Sequence, residues 1–224
     1  MQSFKEFANQ EFIKVNDKPP AYHLINKNHK SLYISGVIHG DEQSALPTLK
    51  KLIKNPEFFK HLDVTIVPCL NPWGYKNNTR DNEKGHDLNR DYKNGHQIET
   101  QSHLNFLEGK KWDFGLCLHE SKFSDGCFIY EPKEFQLPDW SDAILDAMTT
   151  QIPLDTTHRH ADSKQERGVL IDTRYKESKH WTESIYLTKN LTPTVTLEVP
   201  TSYPMDQRMA CYIAGIKKCI LNLH

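Results

Sequence analysis

Imidazole and carboxylate three residues apart are raw material for a metal site. This chain of 224 residues carries that spacing three times, at His39–Glu42, His96–Glu99 and His180–Glu183. The spacing alone therefore carries little weight, and position has to separate the three. His96–Glu99 and His180–Glu183 open polar, helix-like stretches, where a solvated face explains them. His39–Glu42 lies in SGVIHGDEQSALPTL, residues 35–49, between a β-type run and a helical pattern. Ligands of open α/β sheets bind outside the carboxyl ends of strands. Gly36 and Gly40 beside His39 are expected to let the backbone turn tightly, so that one turn aims imidazole and carboxylate at one ion.

A second strand-end imidazole, His119, closes the run DFGLCLHE. Alone it reads more readily as a structural residue. With His39 and Glu42 it completes two imidazoles and one carboxylate, the donor set of a catalytic zinc site with an open fourth position. The adjacent Glu120 is a poor ligand for the same ion, because successive strand residues point to opposite faces. Glu198 ends a late apolar run, PTVTLEVP. It reads equally as an ordinary strand-end charge or as the base that a metal-activated water requires. The segment Asn71–His96 is long, polar and short of apolar side chains with which to pack itself down. Such segments are usually functional, the alternative being a floppy surface insertion. It carries Arg80, Asn89 and Arg90. Guanidinium groups at a site mouth can stabilise an oxyanion or hold a carboxylate bidentately. Asp87 could accept the free ring N–H of a ligating histidine.

The elements that must position these groups alternate between strand and helix. KSLYISGVI, Val64–Leu70, Phe114–His119 and Thr194–Val199 read as buried strands. Ala45, Leu46, Leu49, Leu52 and Ile53 recur at helical spacing within Glu42–Asn55, and Pro47 is acceptable in the first turns. Further helical patterns lie at Gln97–Leu107 and Met205–Leu221. Near-continuous apolar strands separated by helices predict an α/β fold: a single domain over residues 1–224, with a mixed, mostly parallel twisted sheet and helices on both faces.

Composition narrows the function classes. A net charge of −1 offers no basic face for nucleic acid. No apolar run reaches membrane-spanning length, and the polar N-terminus lacks the apolar stretch of a signal peptide. Five cysteines, an odd number without close pairs, read as buried free thiols of a reducing compartment. A cytoplasmic location is expected, with no nucleic-acid or membrane partner; the sequence does not fix an oligomeric state.

The pieces HGDE, NPWG, NNTR, DLNR, LHE and TLEVP occur in this order between about Ser35 and Pro200. The ordered set resembles the zinc carboxypeptidases of the carboxypeptidase A type. The resemblance implies one zinc per chain on His39, Glu42 and His119. It implies Arg80 as the oxyanion residue, Asn89 and Arg90 as binders of the substrate's terminal carboxylate, and Glu198 as general base. The short step from Arg80 to Asn89 resembles the compact bacterial branch that includes the murein peptide amidases. That family closes a mobile tyrosine on its substrate; Tyr175 is the candidate here, and Tyr186 also fits.

The implied reaction is hydrolysis of a terminal amide bond of a small peptide bearing a free carboxylate. One rival is an N-acyl amino acid deacylase of the succinylglutamate desuccinylase and aspartoacylase type. That group usually carries a further C-terminal domain, whereas a short helix follows Glu198 here. Another rival is a module that binds peptide C-termini without cutting them, against which the presence of Glu198 and Arg80 argues.

Overall fold

The computed structural model describes residues 11, 13–132, 140–156, 163–166, 168–172 and 180–224. Its strands form a single nine-stranded sheet in the order β1-β2-β4-β3-β5-β9-β6-β8-β7. The centre is parallel: β4 (Asp63–Val67), β3 (Ser31–Gly36), β5 (Phe114–Ser121) and β9 (Thr194–Pro200) all run the same way. On one side β2 (Pro20–Leu24) joins β4 antiparallel and β1 (Ile13–Asp17) extends the edge. On the other, β6 (Phe128–Pro132) runs antiparallel to β9, followed by β8 (Val169–Asp172) and β7 (Ser163–Glu166).

Helices cover both faces, which is why the central strands read as continuous apolar runs. Alternate residues of each strand go to opposite sides. Leu32, Ile34, Leu116, Leu118, Val195, Leu197 and Val199 enter one core with α1 (Ala45–Ile53), α4 (Trp140–Thr149) and α6 (Met205–Leu223). Tyr33, Val67 and Cys117 enter the other, which holds Phe106 and Leu107 of α3 (Ile98–Leu107) and Leu187 of α5 (Glu183–Lys189). The expected helix around Leu49 begins at Ala45, so Glu42 stays in the turn before it. Pro47 stands third in α1, where the missing N–H costs no helical bond. All five cysteines are buried free thiols. Among the described residues, no helix is long and apolar enough to cross a membrane.

The long polar segment 71–96 is partly structured. It contains α2 (Pro72–Asn77) and a 3₁₀ turn at Leu88–Arg90. Side-chain-to-backbone bonds hold it down. Asn71 Oδ1 accepts from Gly74 N–H, and Asn82 Oδ1 accepts from Lys84 and His86 N–H. Short polar side chains take over local backbone groups in this way, and Leu88 and Tyr92 supply buried apolar anchors.

Candidate metal centre and active site

The ligand turn follows β3 directly. The two glycines expected to make it tight act by another route: neither has positive φ, and each is small because something lies against it. A Cβ on Gly36 would meet Ala45 and Leu49 of α1 at 3.0 Å, and one on Gly40 would sit 1.9 Å from the Gly74 backbone of α2. The left-handed residue is Val37, at φ 54° and fully buried. For a β-branched residue that conformation costs about 1–3 kcal/mol and persists only where its surroundings enforce it. They do so here: Leu70 N–H and Asn71 N–H donate to the carbonyls of Gly36 and Val37, and Gly40 N–H donates to the Arg80 carbonyl.

The turn brings His39 and Glu42 to His119 at the end of β5. His39 Nδ1 lies 2.6 Å and His119 Nδ1 3.3 Å from the same Glu42 oxygen, Oε1. The ligand atoms of the three residues all lie within 4.8 Å of one another, and all three side chains are buried. Burial opposes charge on both His39 and Glu42, and their mutual attraction overrides it. The Glu42 charge and the hydrogen bonds that the ring donates to Asp87 and Glu42 lift His39 to about 9. The two imidazoles hold Glu42 down at about 2. Glu42 Oε2 is buried without a hydrogen-bond partner, an orphan that normally has an explanation. Two Nδ1 atoms and a carboxylate with a spare oxygen fit a zinc ion.

Asp87 joins this centre to the loop. Its Oδ1 lies 3.2 Å from His39 Nε2 and accepts from Asn89 N–H; its Oδ2 accepts from Arg80 Nε and Nη2 at 3.2 and 2.8 Å. Burial alone would raise the Asp87 carboxyl; His39 with Arg80 and Arg90 brings it well below the usual aspartate range. The ring of His39 is thus held with Nδ1 toward Glu42, the orienting role that metal-bound histidines require.

Glu198 stands in register with His119 across the parallel β5–β9 pair, so both project from the same face. Burial lifts its carboxyl to about 8, with His119 pulling the other way. Glu120 takes the opposite face, as expected. Its Oε1 accepts from Ser44 N–H and Oγ and from Arg208 Nη1 at 2.8 Å, which ties α1 and α6 to β5. The Tyr212 hydroxyl of α6 donates to the His119 carbonyl oxygen.

A cavity of about 620 Å³ opens over the triad and is lined by His39, Glu42, His119, Arg80, Asn89, Arg90 and Glu198. Seven of the eight residues read from the sequence as the site therefore meet in one place. Tyr175 lies outside the described residues. Tyr186 packs instead against the second core, with its ring 6.0 Å from that of Tyr92. The cavity wall also contains residues that no motif marked: Phe128 and Tyr130 of β6, and Thr182, Ser184 and Ile185 at the start of α5. Alternation against Glu198 and Thr196 across the β6–β9 pair would have found the first two, had β6 been recognised. Glu183 overturns its expected solvated role: it is 1% exposed and accepts from Tyr33 Oη at 2.8 Å. His96 and His180 are exposed, and Glu99 accepts from Asn82 Nδ2.

Residues 28–122 match the family model of the succinylglutamate desuccinylase/aspartoacylase catalytic domain. A protein from Shewanella denitrificans OS217, provisionally named a metallopeptidase, superimposes with a TM-score of 0.80 and 19% identity over 95% of this chain and 84% of that one. A metallo-carboxypeptidase from Burkholderia cenocepacia gives 0.70 and 15% over 96% and 65%, respectively. A succinylglutamate desuccinylase from Silicibacter sp. TM1040 gives 0.66 and 16% over 91% and 60%. Among curated proteins none matches significantly. At these identities the structural likeness establishes the fold alone, an α/β fold shared with these carboxypeptidase-like neighbours.

Proposed function

From this carboxypeptidase-like fold we propose a zinc-dependent metallocarboxypeptidase or amidase, which hydrolyses a terminal amide bond of a small peptide, such as a murein-type peptide, beside a free carboxylate. One observation carries the reading. Of the cations lining the cavity, Arg80 is paired with Asp87, and Lys122 with Asp41 at 2.5 Å. Arg90 has no ion pair among the described residues; its Nη1 donates to the Asn89 carbonyl. Exposed at the cavity wall, this guanidinium suits a substrate carboxylate geometrically. Asn89 stands beside it with Oδ1 already accepting from Glu183 N–H, which leaves the amide N–H₂ for a ligand oxygen.

His39, Glu42 and His119 would hold the zinc, whose contribution is Lewis acidity and a water pKa brought toward about 7. Glu198 takes the proton of the attacking water and passes it to the departing amine. Arg80, exposed enough at the cavity mouth to turn toward substrate, donates to the oxyanion that forms. Asn89 and Arg90 hold the carboxylate of the departing residue and so confine cleavage to a chain end.

A second reading has its own support. The family match spans both the His39–Glu42 turn and His119, and a deacylase of N-acyl amino acids would use the same residues on a smaller acyl group. Mass spectrometry of products from zinc-loaded protein, given peptides, murein-type peptides and N-acyl amino acids together, separates the two. Cleavage of peptides is expected; turnover of N-acyl amino acids alone overturns it. Arg90→Ala should lower kcat/KM on free-carboxylate substrates by roughly 10- to 150-fold, the worth of a charge-assisted hydrogen bond of ~1.5–3 kcal/mol. Terminally amidated substrates should already be poor and change little.

A further inference from the structure

Beneath the carboxylate-binding corner lies a buried polar chain with no part in the chemistry just described. Tyr92 Oη is 2.7 Å from His103 Nδ1, His103 Nε2 is 2.8 Å from Tyr33 Oη, and Tyr33 Oη donates to Glu183 Oε1 at 2.8 Å. All four residues are at most 2% exposed. They come from four places: the loop, α3, β3 and the first position of α5.

With Glu183 as the acceptor of the Tyr33 hydroxyl, the other links run one way. Burial depresses His103 to about 3, so its ring is neutral and carries a single N–H. Tyr33 spends its proton on Glu183, so its oxygen accepts from His103 Nε2–H. His103 Nδ1 then accepts from the Tyr92 hydroxyl. Every donor has one acceptor, and reversing any link would set two donors or two acceptors face to face.

Both ends of this chain return to the same point. Glu183 N–H donates to Asn89 Oδ1 at 2.9 Å, and Tyr92, three residues after Asn89, anchors its backbone N–H on the Trp181 carbonyl. The hydrogen bonds and the stretch 89–92 thus form a closed ring, with Asn89 and Arg90 on its rim beside the cavity.

We propose that Glu183, through the Tyr92–His103–Tyr33 chain, is the positioning residue of the carboxylate-binding corner: the ring fixes the amide of Asn89 and the backbone of Arg90 so that they meet a carboxylate already oriented. This rests on the reading that Asn89 and Arg90 bind a carboxylate. It predicts that the ring sets preference for a carboxylate over its neutral isostere. Fully buried polar networks that are completely satisfied are suited to such rigid placement.

The test is calorimetric binding of 3-phenylpropanoate and 3-phenylpropanamide, a pair without a scissile peptide bond, to the zinc-loaded protein. Wild type should prefer the carboxylate, and Arg90→Ala should erase that preference; a wild type without preference overturns the site reading and the proposal with it. Tyr33→Phe and the milder Tyr92→Phe should each cut the preference by ~5- to 10-fold, about the worth of one net hydrogen bond. Glu183→Ala should do the same, and Glu183→Gln, which keeps an acceptor for Tyr33, should restore it to within about twofold. A merely structural role lowers Tm and leaves the ratio of the two affinities unmoved. If Arg90→Ala erases the preference while all the ring variants keep it, the site reading stands and the positioning role is refuted.

Discussion

Replacing Glu198 with Gln keeps the side-chain shape and removes the ability to accept a proton. The β5–β9 register puts this carboxylate beside His119 at the cavity wall, 9% exposed. Burial there lifts it to about 8, and a cation held by the triad would favour its charged form. A positioned base contributes ~10²–10⁴-fold, or about 2.7–5.5 kcal/mol of barrier, so kcat should fall by at least that factor. Zinc content and substrate binding should persist, because His39, Glu42, His119 and Arg90 are untouched. Stability of the chelated protein should move the other way. A carboxyl at about 8 when folded, against a reference value of 4.5, binds its extra proton in the folded state. Its contribution is present below the lower value and is lost as pH rises through that window. The Gln variant lacks this loss, so its Tm at about pH 8 should equal or exceed that of wild type. Steady-state kinetics, metal analysis and thermal melts read all three. Near-normal turnover would place the base elsewhere; loss of zinc would make Glu198 a ligand and send Glu42 back for re-examination.

His119→Ala removes one of three protein ligands, so metal analysis after dialysis should show zinc largely lost; full retention would exclude His119 from the centre. Arg208→Ala leaves Glu120, whose side chain is fully buried, without its cation and should cost roughly 3–5 kcal/mol in urea unfolding. The pair Glu120→Gln with Arg208→Met should recover much of that loss, and a small effect of Arg208→Ala alone would show the ion pair to be dispensable. His103 is depressed to about 3 from 6.5 by burial, so its contribution to stability is full above about pH 6.5 and drains away as pH falls toward the lower value. His103→Gln should flatten the wild-type slope by roughly 3 kcal/mol between about pH 7 and pH 4; an unchanged slope would mean that His103 charges freely in the fold.

The residues of the candidate metal centre were legible because each sits at or just past the end of an apolar run. Such runs mark buried parallel strands, and the carboxyl ends of those strands are where α/β sheets bind ligands. The antiparallel margins gave no such signal. β1 reads IKVND and is mostly exposed, and β6 is five residues long; a strand that short and mixed does not separate from a loop by periodicity. The chemistry that depends on tertiary burial was hidden for a related reason. Glu183 begins a seven-residue helix behind an N-cap Thr182, which locally is what any solvated first-turn glutamate looks like. Only the return of β3, α3 and the loop around it makes it a buried acceptor. The glycines of the ligand turn were marked correctly as special, but for the wrong property. A glycine in sequence signals either an unusual φ or a close approach, and which one applies is decided by the helices that pack against it.

The dipeptide His119-Glu120 shows how tightly the fold and the centre share their determinants. On β5 the even positions 116 and 118 enter the core beneath α1 and α6, and Cys117 faces α3 and α5. Glu120 follows the first set to Ser44 and Arg208, and His119 follows the second to Glu42 and Glu198. Because the side-chain period of a strand is two, a slip of one residue would exchange them. It would bury a histidine against a guanidinium and place a glutamate beside the charged carboxylate of Glu42. Both outcomes leave buried charges unpaired, which costs several kcal/mol each. The polar pair therefore specifies the register more sharply than the apolar residues around it, whose exchange between two hydrophobic cores would cost far less. In this strand the residue that faces the candidate metal centre and the residue that clamps the helices enforce one another's position.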